Sequence, residues 1–262
     1  MYRNIFDTHA HYDDQRFDSD RQERISTLPE EGVRLVLNAA CDMASCVSSM
    51  ALARRYPFFY ASVGIHPHAA GEVFEDASYL ERLALWSREE KVRAIGEIGL
   101  DYHYDFSPRE QQKAVFAQQL QLAGELNLPV IIHSREALAD TLELLKRYRP
   151  KGIVHCYTGS AEMVSEFLQL GLYIGFTGSV TFKNANKILK AAAAVPLDRL
   201  LVETDCPYMS PEPFRGQRND SSRLPWIGEK LAELHQTDPQ ALFDQTFFNG
   251  CQVYGIDPSL TR

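Results

Sequence analysis

Eight short apolar runs, separated by segments with helical spacing of apolar residues, constrain this chain more than any other feature of its sequence. The runs are Asn4–Asp7, Val33–Asn38, Phe58–Gly64, Val92–Gly96, Pro129–Ile132, Gly152–Val154, Leu172–Phe176 and Leu200–Glu203. Most of them lack polar alternation, which is typical of parallel strands buried on both faces. Over the 262 residues the repeat averages about 33 residues, the size of one strand–helix unit.

Helices are expected in the intervals between these runs. Ser107, Pro108 and Glu110 predict a helix start, with the serine as the cap and the glutamate completing a capping box. Further helices are expected over Glu136–Arg147, Ala161–Gly171 and Asn184–Val195 and from Thr237 towards Asn249. One long irregular stretch, Pro207–Pro225, follows the eighth run.

Eight strand–helix units predict an α/β protein with the fold of a (β/α)₈ TIM barrel. An open doubly wound sheet is the alternative, but no GxGxxG or phosphate-loop sequence follows an early strand. No linker rich in Pro, Gly or Ser divides the chain, so we expect residues 1–262 to form a single domain.

Composition and charge exclude several classes of protein. A net charge of −8 argues against a protein that coats nucleic acid with a broad basic surface. No apolar run approaches the roughly 20 residues that span a bilayer, and the N-terminus lacks a signal-peptide pattern, so no membrane association is expected. The five cysteines form no CxxC pair, which favours a reducing, cytoplasmic setting.

Polar side chains follow the predicted strands at the end where barrel enzymes place their catalytic groups. His9 and His11 end the first strand and point the same way because they are two residues apart. An HxH sequence alone also fits two hydrogen-bonded surface histidines, but its position favours the barrel mouth. Glu97 ends the apolar fourth strand, where its carboxylate needs a cation or several donors, a core ion pair being the alternative.

Strands five, six and eight end in His133, His155 and Asp205. One histidine after an apolar strand fits a hydrogen-bonded core residue, but two on consecutive strands indicate a shared site. Glu203 is interpreted as a hydrogen-bond partner of a ligand rather than a ligand. Imidazoles and carboxylates suit Zn, Mn, Fe, Co or Ni. Six such ligands suit two metals bridged by a carboxylate, for which Glu97 is the natural candidate.

Taken in order, these motifs resemble those of the TatD-type metal-dependent deoxyribonucleases of the amidohydrolase superfamily, across essentially the whole chain. The resemblance is carried by Asp7–His11, Gly64–Pro67, Gly96–Asp101, His133–Arg135, His155–Gly159 and Glu203–Tyr208, with the loop Arg215–Asn219 adding to it. It implies an amidohydrolase-like barrel that hydrolyses phosphodiester bonds of DNA, acting from the 3′ end of single-stranded or frayed DNA.

The resemblance also implies a ligand set for two divalent metal ions, such as Mg, Mn or Zn. One metal would be held by His9, His11 and Asp205, the other by His133 and His155, with Glu97 as the bridge. In this mechanism the metals activate a bridging water for attack on phosphorus. Asp205 is the candidate that orients this water and takes its proton, so we expect Asp205 and Glu97 to be catalytic.

Other predicted site residues would contact the substrate. They are His66 after strand three, Arg135 and Lys183 after strands five and seven, and Arg215 and Arg218 in the last loop. A hydrogen-bonded histidine before a turn and solvated surface cations are the alternatives. Tyr102, Tyr104 and Tyr157 either stack on unpaired bases or pack internally.

Three departures from the family pattern affect loop geometry and substrate choice rather than metal binding. They are Tyr157-Thr158 after strand six, the absence of a proline in Asn219–Ser222, and Gln252 in the last helix.

Three functions are compatible with these residues: a DNA nuclease, a hydrolase of other esters, amides or phosphoesters, and a non-catalytic binding protein. The second includes removal of misattached amino acids from transfer RNA.

The complete ligand set argues against the binding protein. Many superfamily barrels use a modified lysine as the bridge, so a glutamate on strand four favours the nuclease. The expected partner is therefore single-stranded DNA ends, and the expected assembly is a monomer.

Overall fold

A computed structural model of the chain describes residues 1–76 and 78–260. Ala77 and the last two residues of the predicted domain lie outside the described part. The described strands are β1 Ile5–Ala10, β2 Val33–Asn38, β3 Phe59–Val63, β4 Val92–Asp101, β5 Val130–Arg135, β6 Gly152–Val154, β7 Tyr173–Phe176 and β8 Leu200–Val202.

Helices alternate with these strands along the chain. The described α-helices are α1 Arg21–Thr27, α2 Met43–Arg55, α3 Ala70–Val73, α4 Ser78–Trp86, α5 Arg109–Leu126, α6 Leu138–Tyr148, α7 Ala161–Gln169, α8 Asn186–Ala194, α9 Leu224–Leu234 and α10 Pro239–Tyr254. Short 3₁₀ helices span Gln15–Phe17, Leu28–Glu31, Pro67–Ala69, Gly178–Thr181, Leu197–Arg199, Ser221–Arg223 and Pro258–Leu260. None of the described helices has the length and hydropathy needed to cross a bilayer.

The described strands form one parallel sheet whose spatial order follows the sequence from β1 to β8. The sheet closes where the end of β1 meets the segment after β8. There Asp205 N donates to His9 O at 2.9 Å, and His11 N donates to Cys206 O at 2.8 Å. The predicted TIM barrel is thus confirmed, and its closure brings the first and last strand ends together.

The inner face of the barrel changes from apolar to polar towards the mouth. Ile131, Ile153 and Leu201 are buried in one inner cluster, which the α10 residues Phe247 and Tyr254 join at the lower end. Two positions further along, in β5 or just after β6 and β8, lie His133, His155 and Glu203, which continue this inward direction. Asp205 follows beyond the end of β8, where its φ of 55° ends the extended backbone.

Several predicted boundaries are corrected by the structure. Three strands run further than predicted, β1 to Ala10, β4 to Asp101 and β5 to Arg135. The β4–β5 ladder continues through Gly99 and His133 because backbone pairing in a parallel ladder does not depend on side-chain type. Polar residues therefore lie within these strands rather than beyond them.

The predicted capping box at Ser107 is wrong. Pro108 takes the cap position of α5, and no side chain caps that helix. The Ser107 hydroxyl is used elsewhere, since it accepts from Gly71 N at 2.9 Å and donates to His68 O at 2.9 Å. The serine therefore connects the loop before α5 to the segment between β3 and α3 and to the start of α3.

Candidate metal centre

His9 and His11 lie side by side at the end of β1, with 3.0 Å between their Nε2 atoms. His11 Nδ1 donates to the carbonyl of Ala39 at 2.9 Å, so Nε2 is the ring nitrogen that faces the centre of the barrel. Burial, together with the charge of His155, lowers the pKa of His9 to about 4. His9 is therefore a neutral imidazole at pH 7, the form that binds a metal.

The carboxylate of Glu97 lies between two groups of imidazoles. Its Oε2 is 3.2 Å from His9 Nε2 and 3.6 Å from His11 Nε2. Its Oε1 is 2.8 Å from His133 Nδ1 and 2.7 Å from His155 Nε2. Burial raises the pKa of Glu97, but the surrounding imidazoles outweigh this effect and hold it well below the usual value. The group is thus a buried carboxylate anion with one oxygen for each side of the centre.

Asp205 completes the first side of the centre. Its Oδ1 is 3.3 Å from His11 Nε2 and 3.7 Å from His9 Nε2. Burial raises the pKa of Asp205, but the hydrogen bond and charges of the two histidines outweigh burial and lower it. The backbone bond from Asp205 N to His9 O holds the carboxylate against β1.

His133 and His155 form the second side, with 3.3 Å between His133 Nδ1 and His155 Nε2. On its other edge, His133 Nε2 lies 3.2 Å from Asp101 Oδ2. Burial lowers the pKa of His133, but hydrogen bonds to Asp101 and Glu97 raise it to about 9. Asp101 thereby fixes which ring nitrogen of His133 faces the centre.

Glu203 lies next to His155 as a completely buried carboxyl group. Its Oε1 accepts from Cys156 N and lies 3.8 Å from His155 Nδ1. Burial raises the pKa of this group to about 8. Glu203 and Glu97 are thus two neighbouring carboxyls whose surroundings shift their pKa values in opposite directions.

The residues present fit divalent metal ions. Potential ligand atoms of His9, His11 and Asp205 all lie within 4.8 Å of one another, as do those of His66, Glu97 and His133. Two buried ring nitrogens, His9 Nδ1 and His155 Nδ1, have no hydrogen-bond partner among the described residues. Imidazoles gathered around the carboxylates of Glu97 and Asp205 are characteristic of a metal centre.

Cys41 and the pair His68–Asp101 are at the site although the sequence analysis did not single them out. Cys41 Sγ lies 3.8 Å from His11 Nδ1, and burial raises the thiol pKa to about 11. His68 Nε2 lies 2.9 Å from Asp101 Oδ2. Cys41 follows β2, His68 follows β3, and Asp101 ends β4. These positions were a usable signal, because the carboxyl end of every barrel strand faces the mouth.

The predicted substrate residues occupy different surroundings. His66 belongs to the centre, with its Nε2 3.5 Å from Glu97 Oε1. Arg135 and Lys183 are exposed, and Arg215 lies across the Phe182 ring with its Cζ 3.6 Å from the ring centre. These placements leave their contacts with a substrate as predictions.

Arg218 has a different environment. Its Nη1 and Nη2 donate to the two carboxylate oxygens of Asp20 at 2.7 and 2.6 Å. Its guanidinium also lies 4.6 Å from the centre of the Phe17 ring. The guanidinium therefore joins the last loop to the segment before α1.

The three departures from the family pattern all make internal contacts. Tyr157 is buried and donates to Ser160 O at 2.8 Å. Gln252 Oε1 accepts from Tyr173 OH at 2.9 Å, far along β7 from the mouth. Ser221 donates to Asp7 Oδ2 at 2.6 Å, which connects the last loop to the strand that carries His9 and His11.

Known proteins resemble this chain along nearly its whole length. A family model described as TatD related DNase matches residues 6–255. An uncharacterized metal-dependent hydrolase of Bacillus subtilis, YabD, is 41% identical, with 97% of this chain and all of that protein covered. The 3′-5′ ssDNA/RNA exonuclease TatD of Cronobacter sakazakii is 35% identical, with 95% of this chain and 97% of that protein covered.

A solved structure shows the same architecture. The TatD homologue YJJV of Escherichia coli is 32% identical to this chain and superposes with a TM-score of 0.89. The match covers 98% of this chain and all of that one. The barrel and the order of its strand ends are therefore shared along the whole chain.

Proposed function

The chain belongs to the family of TatD-related DNases, and from this premise we propose that it is an exonuclease for the 3′ ends of single-stranded or frayed DNA. Membership makes it a metal-dependent hydrolase. The observation that carries the proposal is the division of the Glu97 carboxylate, whose Oε2 faces His9 and His11 while Oε1 faces His133 and His155. This arrangement supports two cations bridged by one carboxylate.

Each side of the centre would hold one divalent ion, such as Mg, Mn or Zn. His9, His11 and Asp205 would hold the first ion, His133 and His155 the second, with Glu97 shared. When bound, the two ions supply an activated water at neutral pH and positive charge for the phosphate oxygens. The DNA substrate is therefore attracted locally despite the net charge of −8.

The side chains divide the chemistry between them. Asp205 holds the attacking water through its carboxylate and accepts its proton as the water oxygen attacks phosphorus. The P–O ester bond to the neighbouring nucleotide breaks in the same step, and the leaving oxygen takes a proton from solvent. Glu97 stays ionised because imidazoles surround it, and it keeps the two ligand groups at a fixed separation. His66, whose Nε2 faces Glu97 Oε1, is placed to contact the phosphate or the leaving group.

Cations on the rim extend the site towards the rest of the strand. Arg135 ends β5, immediately after His133 and Ser134, while Lys183 and Arg215 lie on the exposed loops after β7 and β8. These three side chains would position the phosphate chain without reading its sequence. Arg218 is proposed to act on the substrate only indirectly, since Asp20 holds its guanidinium.

Single-stranded DNA labelled at one end tests the proposal. Wild-type protein is incubated with Mn²⁺ or Mg²⁺ and with 5′-labelled or 3′-labelled oligonucleotide, and EDTA samples serve as controls. If the 5′-labelled oligonucleotide is shortened stepwise, the enzyme attacks from the 3′ end. Blunt duplex and an RNA strand of the same sequence show how far the substrate preference extends.

The alternative hydrolase is tested in parallel with aminoacyl-transfer RNA and simple ester substrates. If the protein hydrolyses esters but cleaves DNA with none of the metals tested, the alternative hydrolase is supported and the nuclease proposal is overturned. Metal analysis of the same preparations, with about two ions per chain expected, separates both hydrolases from a binding protein.

The assembly and compartment are also proposed. We propose a monomer in the cytoplasm. The cytoplasmic location is supported by the free thiols of Cys41, Cys46, Cys156, Cys206 and Cys251. Sedimentation measures the assembly, and fractionation of cells that express a tagged chain measures the compartment. A stable dimer or secretion of the chain would overturn the respective statement.

A further inference from the structure

Two exposed aromatic rings lie on the loop that follows β4 at the barrel mouth. The exposed fractions of Tyr104 and Phe106 are 48% and 68%. Their rings are stacked, with 5.2 Å between the centres and 19° between the planes. Aromatic surface of this size is normally buried, so an exposed and ordered pair indicates a surface for a ligand. We call this pair the aromatic platform.

The aromatic platform is connected to the candidate metal centre through one histidine. The ring centre of His68 is 4.8 Å from that of Phe106 and 5.5 Å from that of Tyr104. The same ring bonds Asp101 Oδ2, which also bonds His133. The aromatic platform is therefore separated from the ligand His133 only by His68 and Asp101, a distance that one nucleotide can span.

A cation completes the surface. Arg135 Cζ lies 4.8 Å from the centre of the Tyr104 ring. Across residues 1–76 and 78–260, no carboxylate pairs with the Arg135 guanidinium, whereas the neighbouring Asp105 is held by Arg109 at 2.7 Å. The aromatic platform thus combines a π-surface for a base with a positive charge for the adjoining phosphate.

The loop is held in place before any ligand arrives. Asp101 Oδ1 accepts from His103 N at 2.9 Å and from Tyr104 N at 3.0 Å. Ser107, at the other end of the loop, bonds Gly71 N and His68 O. A preformed surface loses less entropy when a flexible strand binds to it.

We propose that Tyr104 and Phe106 bind one unpaired base of the substrate strand by stacking, with Arg135 on its phosphate. The inference rests on the proposed hydrolysis of nucleic acid at the metal centre. A base paired within a duplex cannot place its face on Phe106, so the aromatic platform selects unpaired ends. Stacking on a π-surface tolerates every base, so the selection acts on strand structure rather than on sequence.

The test measures binding of the metal-loaded protein to a fluorescently labelled oligodeoxyadenylate whose phosphorothioate linkages resist hydrolysis. The double variant Tyr104→Ala/Phe106→Ala is expected to bind at least about fivefold more weakly, the loss of one stacked base. Tyr104→Phe/Phe106→Tyr keeps both rings and the affinity. Phe248→Ala, an exposed ring of α10, serves as the matched control.

A second series replaces single bases near the 3′ end by abasic positions. An abasic site at one of these positions is expected to weaken binding by the wild-type protein by the same factor. The same abasic site is expected to leave the affinity of the double alanine variant unchanged. Equal affinity of wild type and the alanine variant, or equal losses at every abasic position, overturns the aromatic platform.

Cleavage of the unmodified oligonucleotide tests the proposed hydrolysis separately. Cleavage by wild type together with an unaffected alanine variant overturns the platform alone. Platform-dependent binding without cleavage in any metal overturns the nuclease alone. A wild-type protein that neither binds nor cleaves the strand overturns both.

Discussion

The carboxylate of Asp101 accepts a hydrogen bond from His133, with 3.2 Å between Oδ2 and Nε2. His133 Nδ1 is thereby directed to the candidate metal centre, 2.8 Å from Glu97 Oε1. Because such partners orient metal-binding histidines, we predict that Asp101→Asn weakens divalent metal binding by about 10- to 100-fold. Calorimetric titration of metal-free protein measures the change.

Asp140→Asn is the matched control for that substitution. Asp140 accepts from Tyr102 OH at 2.6 Å on the same side of the barrel but contacts none of the predicted ligands. Wild-type metal affinity is expected for this control. Equal affinities of Asp101→Asn and Asp140→Asn would show that the Asp101 bond does not orient His133 for the metal.

We predict that Asp205→Asn lowers turnover on single-stranded DNA by at least about 100-fold, the effect of losing a general base. The amide keeps an oxygen near His9 and His11 but cannot accept the proton. Gel-resolved cleavage rates and metal analysis are measured on one preparation, with Asp244→Asn on the exposed face of α10 as the control. Near-wild-type turnover in a metal-replete sample removes Asp205 from this role.

Removal of metal is predicted to lower thermal stability. A ligand at 100 times its dissociation constant stabilises the folded state by about 2.7 kcal/mol. The unfolding midpoint of the wild type is therefore expected to fall in EDTA and to recover with Mn²⁺ or Zn²⁺. Glu97→Gln loses the negative charge that lies between the two sides of the centre. Its unfolding midpoint is expected to recover less when metal is added back, and the variant is expected to bind fewer ions per chain. Equal recovery in calorimetry would contradict the bridging role.

The ion pair of Arg218 with Asp20 gives a pH-dependent prediction. Hydrogen bonds from Arg218 lower the pKa of Asp20 below its unfolded value. The pair therefore stabilises the fold above that value, and its contribution is lost as the pH falls through the lower, folded pKa. Arg218→Gln is expected to reduce the free energy of unfolding by less than about 1 kcal/mol at pH 7. Urea unfolding at neutral and acidic pH measures this difference, which shrinks in acid.

Asp20→Asn separates the structural and substrate roles of Arg218. If the guanidinium acts through the pair, both substitutions change stability similarly, their effects are not additive, and DNA cleavage changes little in either. A large loss of cleavage in Arg218→Gln alone would assign Arg218 to the substrate.

The barrel was predictable because its signal repeats along the chain. Parallel strands buried on both faces need uninterrupted apolar residues, and a period of two then dictates which later residue faces inward. Ile131 and Ile153 thus predict the inward direction of His133 and His155. The strand ends were misjudged because polar residues such as Glu97 and His133 were taken as the limit, whereas the β4–β5 ladder continues through Asp101 and Arg135.

Contacts between distant loops were not predictable in the same way. Ser107 satisfies every local rule for a helix cap, yet its hydroxyl bonds residues of the loop after β3. Cys41 lies beside His11 because β1 and β2 are neighbours, which no local pattern encodes. The pairing of Asp20 with Arg218 likewise depends on the path of the last loop.

The seam between β1 and the segment after β8 brings together ligands from the two ends of the barrel sheet. His9, His11, His133 and His155 all precede Asp205 in the chain, and Asp205 reaches them only when its backbone joins His9. A chain still emerging from the ribosome, or one cut short, therefore carries all of these imidazoles without a working centre. Hydrolytic activity at this centre therefore requires that the barrel is closed between its first and last strands.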